Sequence, residues 1–139
     1  MKIHVGAGVD SGLAHTVSVT PAHVADITEL PNLLREDDRD VFGDAAYANN
    51  AYKRAARRAG VYWGVALKAR PKSRLGSSQK QRNRKHSAIR SRVEHMFRVI
   101  KCQFGYTKVR YKGLAKNAAQ VFTLIGLTNL YLRRHALMT

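Results

Sequence analysis

Alternating apolar and polar positions open the chain. Residues 2–9 and 13–20 are rich in β-branched residues that alternate with polar ones, and Ser11 and Gly12 lie between the two runs. Two such runs joined by a short turn predict a β-hairpin. After the second run, apolar residues recur at helical spacing as far as Leu34, which predicts a helix that Pro31 ends or kinks.

Strand and helix patterns continue to alternate in the middle of the chain. Val41 and Phe42 predict a third strand that ends at or near Asp44. Residues 46–59 then predict a helix that ends at a glycine, and residues 61–67 predict a fourth strand.

Two longer helices are predicted toward the C-terminus. An apolar stripe predicts a helix from about residue 86 to residue 104, closed by Gly105, and residues 114–134 predict a buried core helix. Elements that alternate in this way predict a single α/β domain over residues 1–139, with helices covering a sheet.

Charge is divided unevenly along the sequence. Residues 1–44 hold eight of the nine acidic residues and only three of the 25 Lys and Arg, so residues 45–139 are strongly basic. The net charge is +16 and the isoelectric point is about 10.7. A folded chain with this charge is expected to bind nucleic acid, and an anionic membrane surface less readily.

The densest basic run covers residues 68–85, where eight bases occur without an acid. The pattern predicts a solvated loop that contacts phosphate groups. The candidate DNA-binding residues are Lys68, Arg70, Lys72, Arg74, Lys80, Arg82, Arg84 and Lys85 of this run, and Lys108, Arg110 and Lys112 further along.

Cys102 is the only cysteine. A disulfide framework and a zinc cluster built from cysteines of this chain are therefore excluded, and a reducing cytoplasm is the expected compartment. The apolar helical pattern around Cys102 predicts a small buried hydrophobic residue. Polar residues interrupt the apolar residues 114–132, so no membrane span is predicted.

Two carboxylates are the candidate metal ligands. Glu94 is the only acidic residue after Asp44, and a divalent metal ion that also contacts phosphate would explain it. The alternative is a helix-face ion pair with Arg90 or Arg98. Asp44 ends a predicted strand, where it can bind a ligand or cap the next helix. Asp44 and Glu94 could together hold Mg²⁺ or Mn²⁺, and Arg90 and Lys101 lie on the same side of the helix as Glu94.

Two motifs resemble those of bacterial insertion-sequence DDE transposases, specifically the insertion-sequence five family. That family carries its second catalytic Asp in a Gly-Asp-(Ala/Lys)-Gly-Tyr motif, and residues 43–47 (GDAAY) match it with Ala in place of one Gly. Its catalytic Glu lies in a signature of Arg, three residues, Glu, six residues and Lys, which Arg90, Glu94 and Lys101 match. The Tyr that often precedes this Arg by three residues is Ser87 here.

The resemblance implies a ribonuclease H-like fold and metal-dependent cleavage and strand transfer in DNA transposition. It makes Asp44 and Glu94 catalytic ligands of Mg²⁺ or Mn²⁺. It also assigns Arg90, Lys101 and the basic clusters to DNA, at the transposon ends and at the target. A bacterial, nucleoid-associated protein of the cytoplasm is expected, and a homodimer is a further candidate assembly.

One difference from the family concerns its first catalytic Asp, which lies on a strand before a Lys-x-His segment that residues 2–10 resemble. The chain begins at that segment, so we expect a C-terminal catalytic-domain fragment that lacks the first, central strand and is inactive alone. An upstream polypeptide could supply that strand and its Asp. Asp10 is expected to be a turn residue and not a substitute. The alternative function is a non-catalytic basic DNA-binding protein or transposase remnant.

Overall fold

The computed structural model describes residues 1–67 and 73–139 of the chain. The chain divides into two compact units. We call Met1–Val24 together with Arg92–Thr139 the hairpin unit, and Ala25–Ser91 the parallel-strand unit. One long helix contributes its first part to the parallel-strand unit and its last part to the hairpin unit.

The hairpin unit opens with the predicted β-hairpin. Strand β1 (Lys2–Ala7) pairs antiparallel with β2 (Ala14–Thr20), with Lys2 opposite Thr20 and a bulge after Gly6. Gly12 takes a φ of +67° in the connecting loop, a left-handed conformation that glycine adopts without strain. Asp10 lies exposed in this loop, as expected of a turn residue.

Two helices cover the hairpin. They are the last part of α3 (Ser77–Cys102) and α4 (Leu114–Leu137). Their buried residues Met96, Ile100, Val121 and Ile125 form the core, and the apolar face of the hairpin packs against it. The side-chain amide of Asn129 accepts a hydrogen bond from the Ala14 N–H and donates one to the Ala14 carbonyl, both at 2.9 Å. Asn129 therefore binds the first residue of β2 as a neighbouring strand would.

The parallel-strand unit contains the third and fourth strands at their predicted places. Strand β3 (Asp40–Gly43) pairs in parallel with β4 (Tyr62–Val65), and α2 (Asn50–Arg58) connects them. The predicted helix 46–59 is divided into a 3₁₀ helix, Ala45–Tyr47, and α2. The division occurs because the Asn49 side chain accepts hydrogen bonds from the N–H groups of Ala51 and Tyr52 and starts α2 afresh.

The helix predicted after Pro21 is much shorter in the structure. It consists of a 3₁₀ helix, Asp26–Glu29, and a single turn, α1 (Leu30–Leu33). Leu34 has an extended ψ of 145°, so the helix cannot continue past it.

The prediction that residues 68–85 form a loop was wrong from Ser77 onward, because α3 begins there. Gln, Lys and Arg are good helix formers, and two side chains tie this first part of α3 to β4 and the residues after it. Arg82 donates a hydrogen bond to the Trp63 carbonyl at 3.0 Å, and the Asn83 amide exchanges two hydrogen bonds with the backbone of Leu67. Lys68, Arg70 and Lys72 lie outside the described residues.

The architecture is mixed α/β, as predicted. Within the described ranges the strands form two separate two-stranded sheets, β1–β2 and β3–β4, accompanied by four α-helices. No helix in the described part of the chain is long and apolar enough to cross a membrane.

Candidate functional site

Asp44 directly follows the last residue of β3. Its backbone is extended, and its Oδ1 accepts a hydrogen bond from the Ala45 N–H at 2.5 Å, so it caps the 3₁₀ helix that follows. The capping role considered from the sequence is therefore present. It uses one carboxylate oxygen only, and the side chain is 70% exposed. Asp44 thus still presents a carboxylate oxygen to solvent and to any ligand that arrives there.

Arg90 of α3 contacts this carboxylate. Its Nη1 lies 3.3 Å from Oδ1 of Asp44, and the Arg90 side chain is only 23% exposed. The contact joins two residues that are 46 positions apart in the sequence. Arg90 of the Arg-Glu-Lys signature therefore contacts Asp44 of the GDAAY motif, and both residues belong to the parallel-strand unit.

The pKa of Tyr47 responds to the charges near Asp44. Burial raises the pKa of the Tyr47 hydroxyl, and the negative charges of Asp26, Asp44 and Glu29 raise it further. The hydroxyl therefore remains protonated at neutral pH. Three carboxylates therefore lie close enough to act on this one phenol.

Glu94 belongs to the part of α3 that lies in the hairpin unit, where it is exposed. It forms no ion pair with any residue in the described ranges, so the helix-face ion pair with Arg90 or Arg98 was a wrong alternative. Lys101 is exposed in the last turn of the same helix.

The candidate phosphate-binding residues differ in their exposure and in whether they already form hydrogen bonds within the protein. Arg82 is half-buried and committed to the Trp63 carbonyl, which gives it a structural role. The other candidates in the described part of the chain, apart from Arg90, are exposed: Arg74, Lys80, Arg84, Lys85, Lys108, Arg110 and Lys112. In the described residues no group of three His, Cys, Asp or Glu side chains is arranged to hold a metal ion.

His86 was missed by the sequence reasoning. It is only 6% exposed, its ring lies 5.2 Å from that of Phe42, and its Nε2 is 3.0 Å from the Tyr62 hydroxyl. Burial lowers its pKa, as do the charges of Arg82 and Arg90. The available signal was spacing, because His86 precedes Ile89 by three residues and so extends the apolar stripe of α3 by one turn. Its ring buttresses β3 just before Asp44.

Cys102 differs from its prediction, since it is exposed and not buried. It occupies the final turn of α3, where the helix face turns away from the core residue Ile100.

Comparison with known proteins identifies the family. No solved structure matches the chain. The model of the transposase DDE domain family matches residues 1–130, which include β1 to β4, Asp44, Arg90 and Glu94. The chain belongs to the transposase DDE domain family.

Proposed function

We propose that this chain is the C-terminal part of the catalytic domain of an insertion-sequence DDE transposase of the insertion-sequence five family. The observation that supports this best is the Arg90–Asp44 contact at 3.3 Å. It associates two motifs that are distant in sequence and that the family uses together. Transposases act on DNA, and the proposed substrates are the transposon ends and the target duplex.

The proposed fold is ribonuclease H-like, with both units forming one domain. The described strands support this, because they form an antiparallel pair and a parallel pair with no strand shared between them. In the proposed fold a further strand carries the first catalytic Asp. We propose that a segment outside residues 1–139 supplies this strand and that residues 1–139 do not cleave DNA without it.

Transposase DDE domains use divalent metal ions, and Mg²⁺ or Mn²⁺ is the ion proposed here. The donor chemistry fits, since Asp44 offers an exposed carboxylate oxygen amid other negative charges, and Glu94 offers an exposed carboxylate. The number of ligands does not fit, because the described residues form no group of three His, Cys, Asp or Glu side chains that could hold the ion. We therefore assign Asp44 and Glu94 as two ligands of a site that needs a third from the additional strand.

The residues of this chain have distinct proposed roles around the cleaved phosphate. Asp44 and Glu94 would hold a divalent ion, which would help to activate the attacking oxygen and stabilise the leaving one. Arg90, already oriented by Asp44, and Lys101 neutralise phosphate charge, and the exposed bases of the candidate set hold the duplex.

Metal binding tests the ligand assignment. Asp44→Asn keeps an oxygen for the Ala45 N–H but removes the charge, and Glu94→Gln does the same on α3. Each variant should weaken Mn²⁺ binding at least about tenfold, equal to about 1.4 kcal/mol, in titrations followed by electron paramagnetic resonance. Glu36→Gln, which removes an exposed charge in the acidic turn, is the matched control and should bind as the parent does. Equal binding by Glu94→Gln and Glu36→Gln would contradict the assignment of Glu94.

DNA cleavage tests the need for a further strand. An N-terminal extension that adds a strand with one Asp should permit Mn²⁺-dependent nicking of transposon-end DNA, and the unextended chain should not nick. In an experimental structure of the extended chain with Mn²⁺, the carboxylates of Asp44 and Glu94 should lie within roughly 4–8 Å of each other. Nicking by the unextended chain that Asp10→Ala abolishes would overturn the assignment of Asp10 as a turn residue. DNA binding without metal-dependent nicking in both forms would favour the non-catalytic alternative.

A further inference from the structure

A groove between α3 and α4 in the hairpin unit concentrates cationic side chains. It encloses a cavity of about 190 Å³. His95 and Arg98 line it from α3, and Arg134 lines it from α4. No carboxylate belongs to its lining in the described residues. We call this cavity the α3–α4 groove.

Arg134 is held in a fixed orientation at this groove. Its guanidinium carbon lies 4.1 Å from the centre of the Tyr131 ring, and its Nη1 donates a hydrogen bond to the Tyr131 carbonyl at 2.8 Å. Both contacts restrict the long side chain before any ligand arrives. A pre-ordered arginine loses less conformational entropy on binding an anion, and a guanidinium has further donors left for phosphate oxygens.

Arg98 supplies a second permanent charge that the described residues leave uncompensated. It is exposed and forms no hydrogen bond or ion pair in the described part of the chain. Beneath the cations, Val99 is buried and apolar. Two guanidinium groups and an imidazole that line one concave surface suit a phosphate group better than a flat basic patch does, because several donors can reach the same phosphate.

We propose that the α3–α4 groove binds a backbone phosphate of DNA, as a contact separate from the basic residues 74–85 and 108–112. This inference rests on the proposed function, which makes DNA the substrate. It adds His95, Arg98 and Arg134 to the DNA-binding surface. The groove contributes affinity and positions the duplex, and it reads no sequence because it contacts phosphate only.

Cys102 provides a direct test, because the only thiol of the chain lines the same groove and is exposed. The rate of its alkylation by iodoacetamide is measured with and without a short DNA duplex. With DNA at about ten times Kd, about nine-tenths of the protein is bound, so alkylation should slow by up to about tenfold. Inorganic phosphate at the same phosphate concentration should protect Cys102 far less than DNA does, because the proposed ligand is the DNA backbone. Equal protection by inorganic phosphate would show that the groove selects free phosphate and would overturn the proposal.

Charge-matched variants separate direct binding from general attraction. Arg98→Gln/Arg134→Gln should remove most of the protection and reduce the slope of log K against log salt by about 0.9 for each phosphate that the variant no longer neutralises. Arg57→Gln/Arg58→Gln removes two exposed charges from α2 and should retain the protection. Arg98→Gln alone should remove part of the protection, and it breaks no hydrogen bond or ion pair that supports the fold.

The outcomes distinguish this inference from the proposed function. If the parent chain binds DNA while Cys102 reacts equally fast with and without it, or if Arg98→Gln/Arg134→Gln is protected as well as Arg57→Gln/Arg58→Gln, the groove proposal is wrong and the transposase proposal stands. If the parent chain binds no DNA, both are contradicted.

Discussion

The change Gly64→Ala should destabilise the parallel-strand unit, whereas Gly126→Ala should stabilise the hairpin unit. Gly64 lies opposite Phe42 in the register of β3 and β4. A Cβ atom at Gly64 would press on Cδ1 of the Phe42 ring and lie 2.7 Å from its Cε1 and 3.2 Å from the Val41 carbonyl oxygen. Carbon atoms pack best at about 3.5–4.0 Å, so the ring has to move by about 1 Å.

The Phe42 ring has little room for that movement. Its centre lies 5.2 Å from the His86 ring and 5.8 Å from the Tyr62 ring. Overpacking of this kind costs about 1–3 kcal/mol, a large share of a total stability of roughly 5–15 kcal/mol. At Gly126, in the middle of α4, nothing lies within 4 Å of an added Cβ. Alanine there should stabilise the helix by about 0.5–1 kcal/mol, because glycine loses more backbone freedom on folding.

Urea denaturation followed by circular dichroism measures both free energies of unfolding. A double-mutant cycle with Phe42→Ala isolates the clash, since Gly64→Ala should cost much less once the ring is absent. The prediction is wrong if Gly64→Ala costs nothing, if the two glycine variants change stability in the same direction, or if the cycle shows no coupling between positions 64 and 42.

Three other changes test single features. Asn129→Ala removes both hydrogen bonds to Ala14 and, at about 0.5–1.5 kcal/mol per bond, should lower the free energy of unfolding in urea by roughly 1–3 kcal/mol. The lowered pKa of His86 means that the unfolded chain takes up a proton first, so stability should fall as pH drops from about 6.5 toward the folded-state pKa. His86→Phe should flatten that dependence of the urea midpoint, and an unaltered pH profile would contradict it. Arg84→Ala/Lys85→Ala should reduce the salt slope of DNA binding by about 0.9 for each phosphate that these residues neutralise, and an unchanged slope in anisotropy titrations would exclude both residues as DNA ligands.

Local patterns were sufficient to predict most of the elements. The hairpin, β3, β4 and the glycine that closes α3 follow from alternation and turn chemistry, which neighbouring residues encode by themselves. The start of α3 does not follow from pattern, because residues 77–85 are polar on every side. Their helix is tied by Arg82 and Asn83 to the backbone of Trp63 and Leu67, and no periodicity reports such tertiary hydrogen bonds.

The sequence proposes a set of candidate site residues but not their arrangement. Strand position proposes Asp44, the absence of any other acid after Asp44 proposes Glu94, and helical spacing places Arg90 beside Glu94. The choice between partners for Arg90 depends on how β3 and α3 pack, so the sequence could not predict that it would contact Asp44. Arg82 was predicted to be one more solvent-exposed base, because a charge run does not reveal which member is half-buried.

The hydrogen bonds between Ala14 and Asn129 mean that the hairpin unit can be completed only late in the synthesis of the chain. The two residues are 115 positions apart, so closing the hairpin unit costs on the order of 4 kcal/mol of chain entropy. The parallel-strand unit, Ala25–Ser91, is continuous in sequence and can fold before the rest of the chain is synthesised. At a translation rate of about 5–20 residues per second, the nascent hairpin remains without α4 for roughly 6–23 s. During that interval the apolar side chains of Ile3, Val5, Val17 and Val19 lack the helix that later covers them. This interval is when the nascent chain is most exposed to chaperones, proteases and association with its neighbours.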